Sequence, residues 1–149
     1  VRQDDLWLEL THDYIQWLFP LVESSRVVPG TPTLTPFEIS AFRTDPLLRQ
    51  HMSVALDRML RFFGLERRGE GILKGPNWDA RKSEWFTEDT HNSLRVTRIL
   101  KSLVTCGAEA EAEKFLACLE RLCKSEEDCA ISEKSQDFWR RAVQRGAKA

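Results

Sequence analysis

Between Asp4 and Phe19 the apolar positions Leu6, Trp7, Leu10, Tyr14, Ile15, Trp17 and Leu18 recur at the three-and-four spacing of one helix face, with Asp4 or Asp5 available as N-cap and Pro20 as a stop. This is the first predicted helix, with Ile15, Trp17, Leu18 and Phe19 expected in the core. Val28-Pro29-Gly30-Thr31-Pro32 is turn chemistry and predicts a surface loop. Thr35-Pro36-Phe37-Glu38 combines an N-cap, a proline at the first helical position and a glutamate at the third, a capping box that opens a short helix through Phe42. Asp45-Pro46 repeats the cap-then-proline signal, and Leu47, Leu48, Met52, Leu56, Met59, Leu60 and Phe63 trace an apolar stripe that ends where Gly64 offers a C-cap.

From Leu65 to Asn77 the residues Gly69, Gly71, Gly75 and Pro76 interrupt any period, which predicts a loop or a short hairpin. Trp78 to Phe86 has room for one or two helical turns. A fourth main helix is predicted from Thr87 or Asp89 through Leu94, Val96, Ile99, Leu100, Leu103 and Val104 to Gly107. A fifth spans about Ala108 to Lys124, and a sixth opens at Ser132-Glu133 with Phe138, Trp139, Ala142 and Val143 pointing inward. No segment alternates at period two, so the expected fold is all-α: an irregular bundle of about six helices, centred on the first, third and fourth, with little or no sheet.

Composition narrows the class further. At 149 residues, 42% hydrophobic and 30% charged, the chain has the size and balance of one folded domain. A formal net charge of −1 provides no global field for DNA or an anionic membrane. No apolar run reaches the roughly 20 residues that span a bilayer, and Val1-Arg2-Gln3-Asp4-Asp5 lacks the basic-then-apolar pattern of a signal peptide. An intracellular location is the expectation, cytoplasmic or, in a eukaryote, nuclear. Cys106, Cys118, Cys123 and Cys129 lie in the last third of the chain without CxxC spacing or a nearby histidine, which favours reduced thiols over a metal site. A Cys129 disulfide to Cys118 or Cys123 is the competing arrangement.

Two segments carry a resemblance. His12-Asp13-Tyr14-Ile15-Gln16-Trp17-Leu18-Phe19-Pro20-Leu21 and His91-Asn92-Ser93-Leu94-Arg95-Val96-Thr97-Arg98-Ile99-Leu100-Lys101-Ser102-Leu103 resemble the long signature blocks of the opioid growth factor receptor conserved region. Leu34-Thr35 with Glu38-Ile39, Phe63-Gly64, and Asn77-Trp78 with Arg81 follow in the family's order and approximate spacing. The similarity covers most of residues 7 to 107 and fades beyond them. The resemblance implies little about activity: the vertebrate member has an enkephalin peptide as ligand and a nuclear growth-inhibitory role, and its C-terminal repeats have no counterpart in this sequence.

The residues themselves suggest one composite site. His12 and Gln16, four apart, share a helix face, and packing of the first predicted helix on the fourth would bring them to His91 and Asn92. Two imidazoles beside a helix N-terminus could bind an anion or carboxylate, hold a metal, or act as acid and base. The structural alternative has His12 bonded to a neighbouring loop and His91-Asn92 satisfying helix-end amides. Arg95, Arg98 and Lys101 recur every three residues and form a basic arc, either a contact surface for phosphates or carboxylates or a solvated face paired with nearby glutamates. Tyr14, Trp17 and Trp85 are the expected apolar walls, with Trp78 and Trp85 at a groove rim. Gly69 to Pro76 lacks the Gly-Lys-Ser/Thr ending and the preceding strand of a phosphate loop and reads as a flexible loop. The favoured function is a binding module that recognises a peptide, a protein segment or a small anionic ligand, with no cofactor, no metal and no membrane span. The alternatives are an enzyme using His12 and His91 as acid and base, and nucleic-acid binding through the Arg95, Arg98 and Lys101 face.

Overall fold

A computed structural model describes residues 5–11, 14–22, 33–88 and 90–146. In chain order the elements are α1 (Asp5–Leu10), α2 (Ile15–Leu18), α3 (Pro36–Thr44), α4 (Pro46–Phe62), β1 (Leu65–Arg68), β2 (Gly71–Lys74), α5 (Trp78–Trp85), α6 (His91–Thr105), α7 (Glu109–Ser125) and α8 (Glu133–Gly146). The fold is mostly α-helical, as the periodicity predicts. One two-stranded sheet is present among the described residues.

The capping signals act where the sequence places them. Thr35 accepts from the Glu38 amide while Glu38 accepts from the Thr35 amide, closing the capping box of α3. Asp45 accepts from Leu47 N–H and opens α4 ahead of Pro46. The start of α6 corrects the expectation of Thr87 or Asp89: Thr90 is the N-cap, its hydroxyl accepting from Asn92 N–H. At its other end the Arg43 guanidinium donates to the carbonyls of Val104 and Thr105, the first of which also accepts from Gly107 N–H at 3.3 Å.

Residues 65–77 take the hairpin option, and the expectation of a flexible loop from Gly69 to Pro76 is corrected in part, since Gly71 to Lys74 form β2. The register pairs Leu65 with Lys74 and Arg68 with Gly71, leaving Gly69-Glu70 as the turn. Gly69 takes φ +62° at the first turn position, where a two-residue type II′ turn needs a positive value. With four residues per strand and only Leu65 and Ile72 buried, the alternation is too short to register as a strand in the sequence.

The first predicted helix is broken into α1 and α2. The Thr11 carbonyl, which an unbroken helix would offer to the Ile15 amide, accepts from the Arg95 guanidinium at 2.7 Å. The expected centre also shifts. α6 is central, burying Val96, Ile99, Leu100, Leu103 and Val104, and packs most extensively on α8 and α7, with α4 contributing Met52, Leu56, Met59, Leu60 and Phe62 to the same cluster. Leu18 and Phe138, both expected inside, are 41% and 44% exposed, whereas Ile15, Phe19, Trp139, Ala142 and Val143 are buried. Trp78, Trp85 and Phe86 stack edge to face beside Phe63 under the hairpin.

All four cysteines are free. Burial pushes the Cys106 and Cys118 thiols up to about 11, and burial with the neighbouring Cys129 thiol raises Cys123 further. Among the described residues no group of histidine, cysteine and carboxylate side chains is arranged to hold a metal, and no helix is long and apolar enough to cross a membrane.

Candidate functional site

Asp5 and Glu9, four residues apart on α1, project from one face of that helix. They meet a floor of donors supplied by three other helices. Arg58 of α4 donates to Asp5 Oδ1 at 2.9 Å, and Arg81 Nε of α5 stands 3.8 Å from Asp5 Oδ2. Arg81 Nε also donates to the Phe62 carbonyl at 2.7 Å, with its guanidinium over the Phe62 ring. At the start of α6, Asn92 Nδ2 lies 3.1 and 3.3 Å from the two Glu9 oxygens, and His91 Nε2 lies 3.2 Å from Glu9 Oε1. Arg95 completes the floor, donating to Asn92 Oδ1 at 3.1 Å and to the Thr11 carbonyl while it stacks on Tyr14 and Phe62.

The inner part of the floor, Asn92 and Arg95, is desolvated. Arg95 is 5% exposed and Asn92 fully buried. Burial lowers the Arg95 pKa, with Tyr14 and Glu9 opposing, and a guanidinium remains charged under that pressure. Burial pushes the Tyr14 phenol up to about 12 against the opposing Arg95 charge. Its hydroxyl has no hydrogen-bond partner among the described residues. A fixed cationic floor of this kind is suited to carboxylate or other oxyanion groups.

One and two turns further along α6 the chemistry changes from charge pairing to backbone clamping. Arg98 Nε donates to the Phe19 carbonyl at 2.9 Å, and Ser102 Oγ donates to the Pro20 carbonyl at 2.8 Å. The two signature segments are therefore each other's partners: α6 presents Arg95, Arg98 and Ser102 to the carbonyls of Thr11, Phe19 and Pro20. The expectation of an open basic arc is corrected for this reason. Arg95 is buried, and Arg98 is half-buried on the chain that crosses it.

Of the expected site residues, Tyr14, His91, Asn92 and Arg95 come together, and Arg98 stands one turn away on the same helix. Trp85 does not join them. It is fully buried, its indole N–H donating to the Phe63 carbonyl at 2.9 Å, and Trp78 is buried beside it, so neither is a groove rim. His12 and the side chains of Gln16 and Trp17 lie outside the described residues. Asp5, Glu9, Arg58 and Arg81 belong to the site and were missed. The Asp5/Glu9 spacing and the place of Arg81 in the family resemblance are the signals in the sequence, and Arg58 reaches the site through tertiary packing.

A match of the opioid growth factor receptor (OGFr) conserved region extends over residues 2–148. The chain belongs to this family. The match runs well past Gly107, where the signature residues fade, and takes in α7 and α8. The chain is similar to the opioid growth factor receptor of Rattus norvegicus, 42% identical over 105 residues that are 68% of this chain and 18% of that protein. It is similar also to opioid growth factor receptor-like protein 1 of Xenopus tropicalis, 40% identical over 104 residues, 68% of this chain and 20% of that protein. The Homo sapiens opioid growth factor receptor is 38% identical over 104 residues, 68% of this chain and 15% of that protein. The chain thus spans about a fifth of the length of these relatives. No solved structure matches it.

Proposed function

We propose that this member of the opioid growth factor receptor family is a helical binding module that takes an acidic peptide or protein segment, or a small anionic ligand, at the junction of α1 with the start of α6. One observation carries the reading. Arg58, Arg81, His91 and Asn92 stand against two carboxylates supplied by a helix of six residues, with Arg95 behind Asn92. That helix buries only Leu8, worth about 1.5–3 kcal/mol, and partly exposed ion pairs add about 0–1 kcal/mol each. α1 is held weakly by the groups a ligand would offer, and Asp5 and Glu9 stand in for those groups. The name of these relatives, opioid growth factor receptor, supports a polypeptide partner.

The reading is tested by titrating hexaglutamate into the whole chain by calorimetry. Asp5→Asn with Glu9→Gln removes the internal competitor and tightens binding about tenfold, equivalent to about 1.4 kcal/mol. Arg58→Gln with Arg81→Gln weakens it by at least as much. If the carboxylate variant binds hexaglutamate no more tightly than the parent, the floor is a structural ion cluster and the proposal fails. The nucleic-acid reading loses support with Arg95 and Arg98 engaged on backbone carbonyls, and the acid–base pairing of His12 with His91 has no described geometry to support it.

A further inference from the structure

A cavity lies away from the α1 junction, between α4, the first strand and the turn from α6 into α7. Its volume is about 480 Å³, within the range of small-molecule sites. Its floor is apolar and buried: Met52 and Leu56 of α4, Leu103 and Cys106 at the end of α6. Burial holds the Cys106 thiol protonated at neutral pH, so the floor carries no charge.

Three charged side chains line the cavity, and one is already matched. Arg67 is paired with Asp57 at 2.7 Å and donates to the Ser53 carbonyl at 3.2 Å. Arg49 contacts no carboxylate among the described residues. Its guanidinium is set in place by the carbonyls of Arg43, at 3.2 Å, and Gly107, at 3.4 Å. Glu111, in the first turn of α7, likewise has no ion-pair partner among the described residues. Arg49 and Glu111 line one cavity and do not pair with each other, which leaves one cation and one anion available over an apolar floor.

We propose that this cavity binds a free α-amino acid with a large apolar side chain. The carboxylate goes to Arg49, the ammonium to Glu111, and the side chain onto Met52, Leu56, Leu103 and Cys106. An apolar acid without an amine would leave Glu111 beside a second negative charge, and an apolar amine would do the same to Arg49 with its own sign. Only a zwitterion satisfies both charges.

Calorimetric titration of the whole chain with L-phenylalanine, N-acetyl-L-phenylalanine and L-phenylalaninamide tests this. Phenylalanine binds saturably and the two blocked forms bind at least tenfold more weakly. Glu111→Gln abolishes the preference for phenylalanine over the N-acetyl form while leaving its preference over the amide. Arg49→Gln does the reverse. Arg49 also supports the turn at Gly107, so thermal unfolding of that variant is recorded alongside, and Glu111→Gln carries the test if Arg49→Gln does not fold. Absence of saturable phenylalanine binding, equal binding of the three compounds, or a Glu111→Gln variant that keeps the N-acetyl discrimination overturns the proposal.

Discussion

Tyr14 is the residue at which the structure departs furthest from what its type would prefer. A phenol wants a hydrogen-bond partner when buried, and this one has none among the described residues while Arg95 lies 5.2 Å from the ring centre. Tyr14→Phe therefore keeps the cation–π contact and removes only an unsatisfied hydroxyl. Chemical denaturation is expected to give a variant no less stable than the parent, and up to about 1 kcal/mol more stable. The same residue fixes an alkaline response. Its folded pKa of about 12 lies above the ordinary 10, so its contribution is fully present below pH 10 and is lost as pH rises toward 12. The buried thiols act in the same sense from pH 9, so the Tyr14 part is the difference between parent and Tyr14→Phe, and it appears between pH 10 and 12. Gly64 shows the opposite condition, a residue with no freedom to change. It takes φ +83°, and a Cβ there would sit 2.9 Å from the Trp78 Cα. Gly69 also has positive φ but opens onto empty space. Gly69→Ala is expected to cost about 1–2 kcal/mol in thermal unfolding, the left-handed penalty alone, and Gly64→Ala clearly more.

At the scale of elements, α6 holds the segments around Thr11 and Phe19-Pro20 by hydrogen bonds to their carbonyls. Ser102 is fully buried and is a donor to the Pro20 carbonyl. Ser102→Ala leaves that carbonyl unsatisfied and is expected to cost about 1–3 kcal/mol in chemical denaturation, more than a surface serine would. What was legible in the sequence follows from how local each signal is. Caps, prolines and the stripes of α4, α6 and α7 depend on neighbours within a turn or two, and they appear within a residue or two of expectation. The break between α1 and α2 was not legible, because the group drawing Thr11 out of the helix is Arg95, 84 residues away. The same distance hid the role of the arginines. A three-residue spacing of Arg95, Arg98 and Lys101 looks like a charged outer face, and only the carbonyls of Thr11 and Phe19 lying over α6 turn two of those side chains inward. Trp85 misled for a related reason: flanking a glycine-rich stretch suggests a rim, yet the hairpin folds back and buries it.

Over the whole molecule the near-zero net charge conceals a local asymmetry. Basic side chains of α4, α5 and α6 gather beneath one short acidic helix whose apolar positions Leu6, Trp7 and Leu10 are 66%, 40% and 69% exposed. A helix of six residues has little stability of its own, so its position depends on those ion pairs and on Leu8. Raised salt is expected to loosen α1 ahead of the core, seen as an early change in amide protection at Glu9, Leu10 and Thr11 with α6 unaltered. The most direct test is amide hydrogen exchange of the parent chain with and without saturating hexaglutamate. If the floor beneath α1 is a site for acidic ligands, exchange at the amides of Glu9, Leu10 and Thr11, which close the α1 ladder, accelerates several-fold on binding while the amides of α6 and α7 keep their protection. Unchanged exchange at Glu9, Leu10 and Thr11 with hexaglutamate bound would contradict the account, because the ligand would then sit elsewhere and Asp5 and Glu9 would be permanent parts of the fold.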